Sequence, residues 1–200
     1  MIQAVLLALI AGYADTVGYL RYHAFAGLMT GNTILLGNEI AGGKSVEATH
    51  HALIIAMFIL GVMLAQILLR LRIEVWLALC LAAAVLVVCG LVGPLAGSLL
   101  LALAMGLQNS AANRFNGVAL NTVFITGNIQ KLGEGILAWL WRDPAQKTSS
   151  GYAIYGYIWL AYLVGAALGA VAERLMGMPL LLPAGLLPLV MFPWNRLRPD

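Results

Sequence analysis

The sequence has very little charge for its length. Of its 200 residues, only 10% are charged, whereas 62% are hydrophobic. A soluble domain carries roughly 25% charged residues, so this chain cannot cover a water-facing surface and is predicted to be an integral membrane protein. The formal net charge is +3. Because the basic residues stand in short loops and not in one patch, they indicate orientation in the membrane and predict no nucleic-acid partner.

Cysteine is also scarce, and the motifs of enzymes and ATP-driven pumps are missing. The two cysteines, Cys80 and Cys89, lie in one apolar run, where buried and inert thiols are expected. The sequence has no Gly-rich phosphate loop, His-Glu-x-x-His, Cys-x-x-Cys or Gly-x-Ser-x-Gly motif. These absences exclude ATP-driven transport by this chain alone, and we expect no enzyme activity, no cofactor and no metal.

The apolar residues fall into eight segments, which predict an all-α membrane protein. Two segments come from residues 75–113, an uncharged run that is too long for one span of about 20 residues. Gly90, Gly93, Pro94 and Gly97 break this run into two helices. The other six segments are Met1–Leu20, Ala24–Ala41, Ala52–Leu69, Val118–Trp141, Tyr152–Ala172 and Leu180–Trp194.

One polar phrase occurs twice and divides the chain into two repeats. Thr-Gly-Asn begins both residues 30–37 and residues 126–133, and a glycine nine residues before an arginine recurs at positions 61 and 165. Corresponding residues are 94, 96 or 104 positions apart, so only the loops differ in length. We predict a first repeat over residues 1–94 and a second over residues 95–200, within a single membrane domain.

The loop charges decide between two topologies. If all eight segments crossed the membrane, the basic loop residues would divide five against five; if both Thr-Gly-Asn segments entered and returned, seven would face three. Because cytoplasmic loops carry the excess of Lys and Arg, we predict six transmembrane helices, two re-entrant or broken motif segments, two inverted repeats and cytoplasmic termini. Spanning motif segments are the alternative that the sequence leaves open.

The paired motifs resemble those of a known family. Gly-Tyr-Ala-Asp at residues 12–15 precedes Met-Thr-Gly-Asn at residues 29–32, and Ala-Met-Gly-Leu-Gln-Asn at residues 104–109 precedes Thr-Gly-Asn at residues 126–128. These motifs are similar to those of the YoaK family, small bacterial integral membrane proteins of unknown function, over essentially the whole chain. The resemblance implies six spans in the bacterial inner membrane and implies no substrate, reaction or catalytic residue.

Asp15 is the strongest candidate for chemistry. A carboxylate about four turns into an apolar segment costs at least ~2.5 kcal/mol on insertion scales, so it normally faces a cavity or a partner. It is interpreted either as a proton or cation site or as the acceptor for a broken helix end in the motif. Its counterpart in the second repeat is Asn109, which cannot titrate.

The two motifs and a polar cluster complete the predicted site. Thr-Gly-Asn either begins a half-helix whose amides point inward or packs helices closely. Gln108, Asn109 and Asn113 need partners inside the bundle, and positions 109 and 113 would share a helix face. Lys131 and Glu134 are spaced to form an ion pair. The predicted substrate- or ion-binding residues are Asp15, Thr30, Gly31, Asn32, Gln108, Asn109, Asn113, Thr126, Gly127 and Asn128.

Three functions compete on these residues. The leading hypothesis is a secondary transporter of a small solute, proton-coupled through Asp15, with its site between the repeats. A channel-like facilitator needs no buried acid, and a membrane-embedded enzyme or accessory subunit needs two acids close together, such as Asp15 and Glu134. The expected partners are the lipid bilayer and an unidentified small solute. Assembly into homo-oligomers, the coupling ion and the direction of transport are left open.

Overall fold

The described residues are almost entirely helical, which confirms the all-α prediction. The computed structural model describes residues 1–115, 118–119, 122, 125–141 and 152–192. Besides the helices and the turns between them, these ranges contain one antiparallel pair of two-residue strands, which we call the hairpin. The elements are α1 (Ile2–Tyr22), α2 (Met29–Ala41), α3 (Ser45–Arg70), α4 (Val75–Cys89), α5 (Pro94–Ala111), β1 (Arg114–Phe115), β2 (Val118–Ala119), α6 (Ile125–Leu140), α7 (Ala153–Leu175) and α8 (Leu181–Val190).

The long uncharged run breaks where its glycines and proline predict. Helix α4 ends at Cys89, and Pro94 stands in the first turn of α5, where a missing N–H costs nothing. The second and sixth predicted segments begin earlier in the chain than the helices that they contain. Helix α2 begins at Met29 and not at Ala24, and α6 begins at Ile125 after the hairpin. The end of the last segment, Trp194, lies outside the described residues.

Among the described residues, three helices are long and apolar enough to cross a membrane: α1, α3 and α7. Helices α4 and α8 are apolar but have only 15 and 10 residues, so α8 is about 15 Å long against a hydrocarbon core of about 30 Å. The outer faces of α3 and α7 expose large apolar side chains such as Met63 and Leu163. Such apolar faces need a lipid environment, so the chain is an integral membrane protein. The six spans remain a prediction.

The bundle is built from two parallel helix pairs. Helix α1 packs on α7, α3 packs on α5, and α4 packs between α5 and α8. At the ends of α1 and α7, Arg21 Nε lies 2.8 Å from Glu173 Oε1. Helices α3 and α5 are joined near both ends, through His50 with Ser98 and through Gln66 with Ser110. The partners within each pair therefore run in the same direction.

Helices α1 and α7 cross at two glycines, one on each helix. A Cβ added to Gly12 would overlap the carbonyl oxygen of Tyr162, and one added to Gly165 would overlap the carbonyl oxygen of Leu9. Only glycine permits this approach of two backbones, which is the small-residue packing found in membrane bundles.

Helices α3 and α5 cross in the same way. A Cβ added to Gly106 would overlap the carbonyl oxygen of Phe58, and one added to Gly61 would overlap that of Leu103. Each of these residues lies at the sequence offset of the repeat from its counterpart in the first crossing: 94 positions between α1 and α5, and 104 between α3 and α7. The two crossings therefore use corresponding residues.

The chain folds back along α1 before α2 begins. Gly18 of α1 lies against this returning segment, since a Cβ added to Gly18 would be 2.9 Å from the Ala24 oxygen. The ring of Phe25 stacks on Tyr19, with centroids 5.0 Å apart. His51 Nε2, near the start of α3, lies 3.2 Å from the His23 oxygen. The end of α1 and the start of α3 therefore lie at the same end of the bundle.

Candidate functional site

Asp15 is buried where the returning chain meets α2. Its side chain is only 3% exposed. Oδ1 accepts hydrogen bonds from the backbone N–H groups of Gly27, at 2.6 Å, and Leu28, at 3.1 Å. Oδ2 accepts a hydrogen bond of 2.5 Å from the Tyr162 hydroxyl of α7. Bonds to a charged acceptor are strong in a buried setting, so Asp15 joins the beginning of α2 to α7.

These bonds match the structural interpretation of Asp15. The first N–H groups of a helix and of the turn before it have no partner within the helix, and here a carboxylate from another helix supplies the acceptor. Tyr162 was not among the residues predicted from the sequence.

Asn32 of the first motif closes the returning loop. Its Oδ1 accepts from the backbone N–H of Phe25 at 2.9 Å, and its Nδ2 donates to the carbonyl oxygen of Phe25 at 2.8 Å. The side chain is fully buried. The amide therefore satisfies both the N–H and the carbonyl oxygen of Phe25, which a carboxylate could not do because it has no donor. Asp15 and Asn32 therefore bond to the same loop at different residues.

The other motif residues are placed less deeply. Thr30 is exposed, and Gly31 is half-buried beneath the Phe25 ring, which a Cβ would meet at 2.7 Å. In the second motif, Asn128 is buried like Asn32, whereas Thr126 and Gly127 are exposed. Helix α2 packs on α3 and α6 packs on α7, so each motif helix contacts the long third helix of its own repeat.

The polar cluster of α5 is only partly as predicted. Gln108 is fully buried and donates to the carbonyl oxygen of Leu7 at 3.1 Å, while its own Oε1 has no partner among the described residues. Asn109 is half-buried. The placement of Asn113 was wrong. Helix α5 ends at Ala111, because the chain turns into the hairpin there, so Asn113 is exposed and shares no helix face with Asn109.

The predicted pair in α6 is confirmed. Lys131 Nζ lies 2.8 Å from Glu134 Oε2, and Gln130 Nε2 donates to the other carboxylate oxygen at 3.0 Å. Both charged side chains are well exposed. The pair is therefore self-contained on the surface of α6 and is not in contact with Asp15.

A cavity of about 640 Å³ opens at the end of the bundle where α1 ends. It lies between the last turn of α1, the first turns of α3 and the start of α5. This volume falls within the usual range for small-molecule sites. The polar groups that line it include Arg21, His23, Ser45, Glu47, Thr49 and His50. None of the residues predicted to bind a substrate or ion lines it.

Comparison with known proteins identifies the family. The family described as protein of unknown function DUF1275 matches residues 3–192. The chain belongs to this family. The chain is also similar to the UPF0700 transmembrane protein YoaK of Bacillus subtilis (strain 168), which is 31% identical over 185 residues, covering 84% of this chain and 81% of that protein. No solved structure matches the chain.

Membership of the DUF1275 family confirms the resemblance drawn from the paired motifs. The match spans both Thr-Gly-Asn segments and both glycine crossings. The printed name of the Bacillus subtilis relative calls it a transmembrane protein, in agreement with the apolar outer faces of α3 and α7. Neither description names a substrate or a reaction.

Proposed function

We propose that this protein is a secondary transporter of a small solute in the bacterial inner membrane. It would consist of two inverted repeats, residues 1–94 and 95–200, with six spans and cytoplasmic termini. The observation that carries the proposal is the pair of equivalent glycine crossings. Exchange of the two repeats converts the α1–α7 crossing into the α5–α3 crossing, as expected for inverted-repeat transporters.

The course of the chain around α2 supports the six-span topology. Residues 23–28 return along α1 to the level of Asp15, and α2 then leads back to the end at which α1 finished. A segment that enters a membrane and leaves on the same side has this form. Its irregular backbone is covered by α1 and by the Asp15 and Asn32 side chains, which is the condition for such backbone at membrane depth.

The cavity supports a solute site between the repeats. It is bounded by α1 and α3 of the first repeat and by the beginning of α5. Asp15 lies two turns along α1 from Arg21, which is about 9 Å at the rise of a helix. A solute in the cavity would therefore be close to the carboxylate that joins the two repeats. We propose no enzymatic step at these residues.

Asp15 provides a route for coupling to protons. The carboxylate holds the first repeat through Gly27 and Leu28, and the second repeat through Tyr162. Protonation would convert one acceptor oxygen into a donor and would weaken these bonds. Helix α7 could then move relative to the returning loop, which is the relative motion of repeats that alternating access requires.

The first experiment is a thermal-shift screen of the purified protein against a solute library at two pH values. Solutes that stabilise the protein are then tested in reconstituted vesicles with a pH-sensitive dye. We expect solute-driven proton movement in the native protein, its loss in Asp15→Asn, and its retention in Glu134→Gln, which removes an exposed acid. Unchanged proton movement in Asp15→Asn would exclude the coupling role, and solute flux without any proton movement would favour a channel-like facilitator.

A further inference from the structure

We propose that His51 is a pH-sensitive latch that fastens the C-terminal end of α2 between α1 and α3. Its ring is 4% exposed and touches three elements. Nδ1 lies 2.8 Å from Glu39 Oε2 of α2, and Nε2 lies 3.2 Å from the carbonyl oxygen of His23, just after α1. The inference does not depend on transport, because it concerns only how one segment is held.

Both nitrogens of the ring face oxygen atoms that accept hydrogen bonds. Nδ1 meets the Glu39 carboxylate and, at 3.2 Å, the backbone oxygen of Glu47. A carbonyl oxygen and an ionised carboxylate cannot donate. Only the imidazolium, which carries a proton on each nitrogen, can satisfy all of these acceptors. Either neutral tautomer would leave a nitrogen lone pair directed at an oxygen.

The titratable and charged groups near the ring come from three elements. Glu39 is the charged group that α2 presents to the ring, and its side chain is only 12% exposed. On α3 itself, Glu47 lies one turn away, and the His50 ring stands 5.5 Å from that of His51. The Nε2 atom of His50 is engaged with the Ser98 hydroxyl of α5. From the loop after α1, His23 contributes its backbone oxygen.

The direction of the pH effect follows from the bonds. The protonated ring holds α2, so the latch is closed in acid. When the ring loses a proton, one nitrogen can no longer donate, and Glu39 keeps at most a neutral donor. Hydrogen bonds between two ionised groups are stronger than those with a neutral partner, so we expect the end of α2 and the turn through Gly42 and Gly43 to open more readily. The cavity described above lies beside this turn, since Ser45 and Val46, which follow it directly, line the cavity.

Hydrogen exchange of the purified protein tests the latch. Exchange at residues 36–44, corrected for the chemical rate, should increase several-fold between about pH 5 and about pH 8. In His51→Gln this pH dependence should disappear, and in His50→Gln, the matched control, it should persist. Persistence of the full pH effect in His51→Gln would overturn the proposal.

Nitrogen NMR of the histidine rings gives a second measurement that needs no variant. In the native protein at about pH 5, His51 should show both ring nitrogens protonated, and the signal should change as the pH is raised. Glu39→Gln keeps an acceptor oxygen but removes the charge, so the pH dependence of exchange at residues 36–44 should be smaller in this variant. A neutral His51 ring at about pH 5 in the native protein would also overturn the latch.

Discussion

Alanine substitution at the crossing glycines should destabilise the protein, and by similar amounts in the two crossings. The test set is Gly165→Ala with its counterpart Gly61→Ala. In each variant the new Cβ would lie within 3.0 Å of a backbone carbonyl of the neighbouring helix, a distance that real Cβ atoms essentially never show. The carbonyl belongs to the backbone, so relief requires the helices to move apart. Overpacking of this kind costs about 1–3 kcal/mol.

Two exposed glycines in helices provide matched controls. A Cβ at Gly37 of α2 or Gly133 of α6 would meet nothing within 4 Å. Alanine is better than glycine inside a helix by roughly 0.5–1 kcal/mol, so these controls should be equal to the native protein or more stable. The crossing variants have the same helix preference, so the difference from the controls isolates the overpacking. A difference of about 1.4 kcal/mol is a tenfold change in the folded-to-unfolded ratio.

The assay is reversible unfolding in detergent by titration with sodium dodecyl sulfate, followed by circular dichroism. We expect the free energy of unfolding to fall in both crossing variants and not in the controls. If Gly61→Ala and Gly165→Ala were as stable as Gly37→Ala, the close backbone approach would be refuted. If only one crossing were sensitive, the equivalence of the two repeats would fail.

Three further predictions concern the returning loop and the topology. Asn32→Ala should lower the free energy of unfolding by about 1–3 kcal/mol, because it leaves the buried N–H and carbonyl of Phe25 unpaired, whereas Thr30→Ala at an exposed site should change it by less than about 0.5 kcal/mol; the same titration measures both. Tyr162→Phe should keep the crossing, since Phe58 stands at the equivalent position of the other crossing. It should lower the free energy of unfolding by about 1.5–3 kcal/mol, because a hydrogen bond to a charged acceptor is lost. Unaltered stability in Tyr162→Phe would show that the hydroxyl bond contributes nothing. Single cysteines introduced beside Lys44 and beside Arg72 should react with an impermeant thiol reagent from opposite sides of the membrane, and labelling from one side would refute the six-span topology.

The helices and the paired glycines could be predicted from the sequence because both leave local signals. A run of apolar residues predicts a helix wherever it lies, and Gly90, Gly93 and Pro94 mark a break without reference to any neighbour. The corresponding glycines were visible as a repeated spacing. Their purpose was not, since the closeness of Gly165 to Leu9 depends on two helices far apart in the chain.

The candidate site could be predicted only in part, because several of its contacts join residues that are far apart in the chain. Asp15 was found because an acid in an apolar segment is rare, and the structural role considered for it matches its bonds to Gly27 and Leu28. Tyr162 was missed because a tyrosine in an apolar helix is unremarkable until its partner is known. Asn113 was misplaced because an i, i+4 rule applies only while the helix continues, and α5 ends two residues earlier. The role of His51 depends on oxygens from three separate elements.

The pairing of α1 with α7 and of α3 with α5 has a consequence for the order in which the protein assembles during synthesis. The residues joined between α3 and α5 are 44 and 48 positions apart, whereas Arg21 and Glu173 are 152 positions apart. Contacts between distant residues form late, and domains are completed from the N-terminus as the chain emerges. The α3–α5 pair can therefore assemble early. Helix α1 can make its contacts with α7 only after α7 has been synthesised. Until α7 is inserted, Asp15 lacks the Tyr162 hydroxyl and α1 lacks its glycine crossing, so α1 is the helix that we expect a membrane insertase or chaperone to hold.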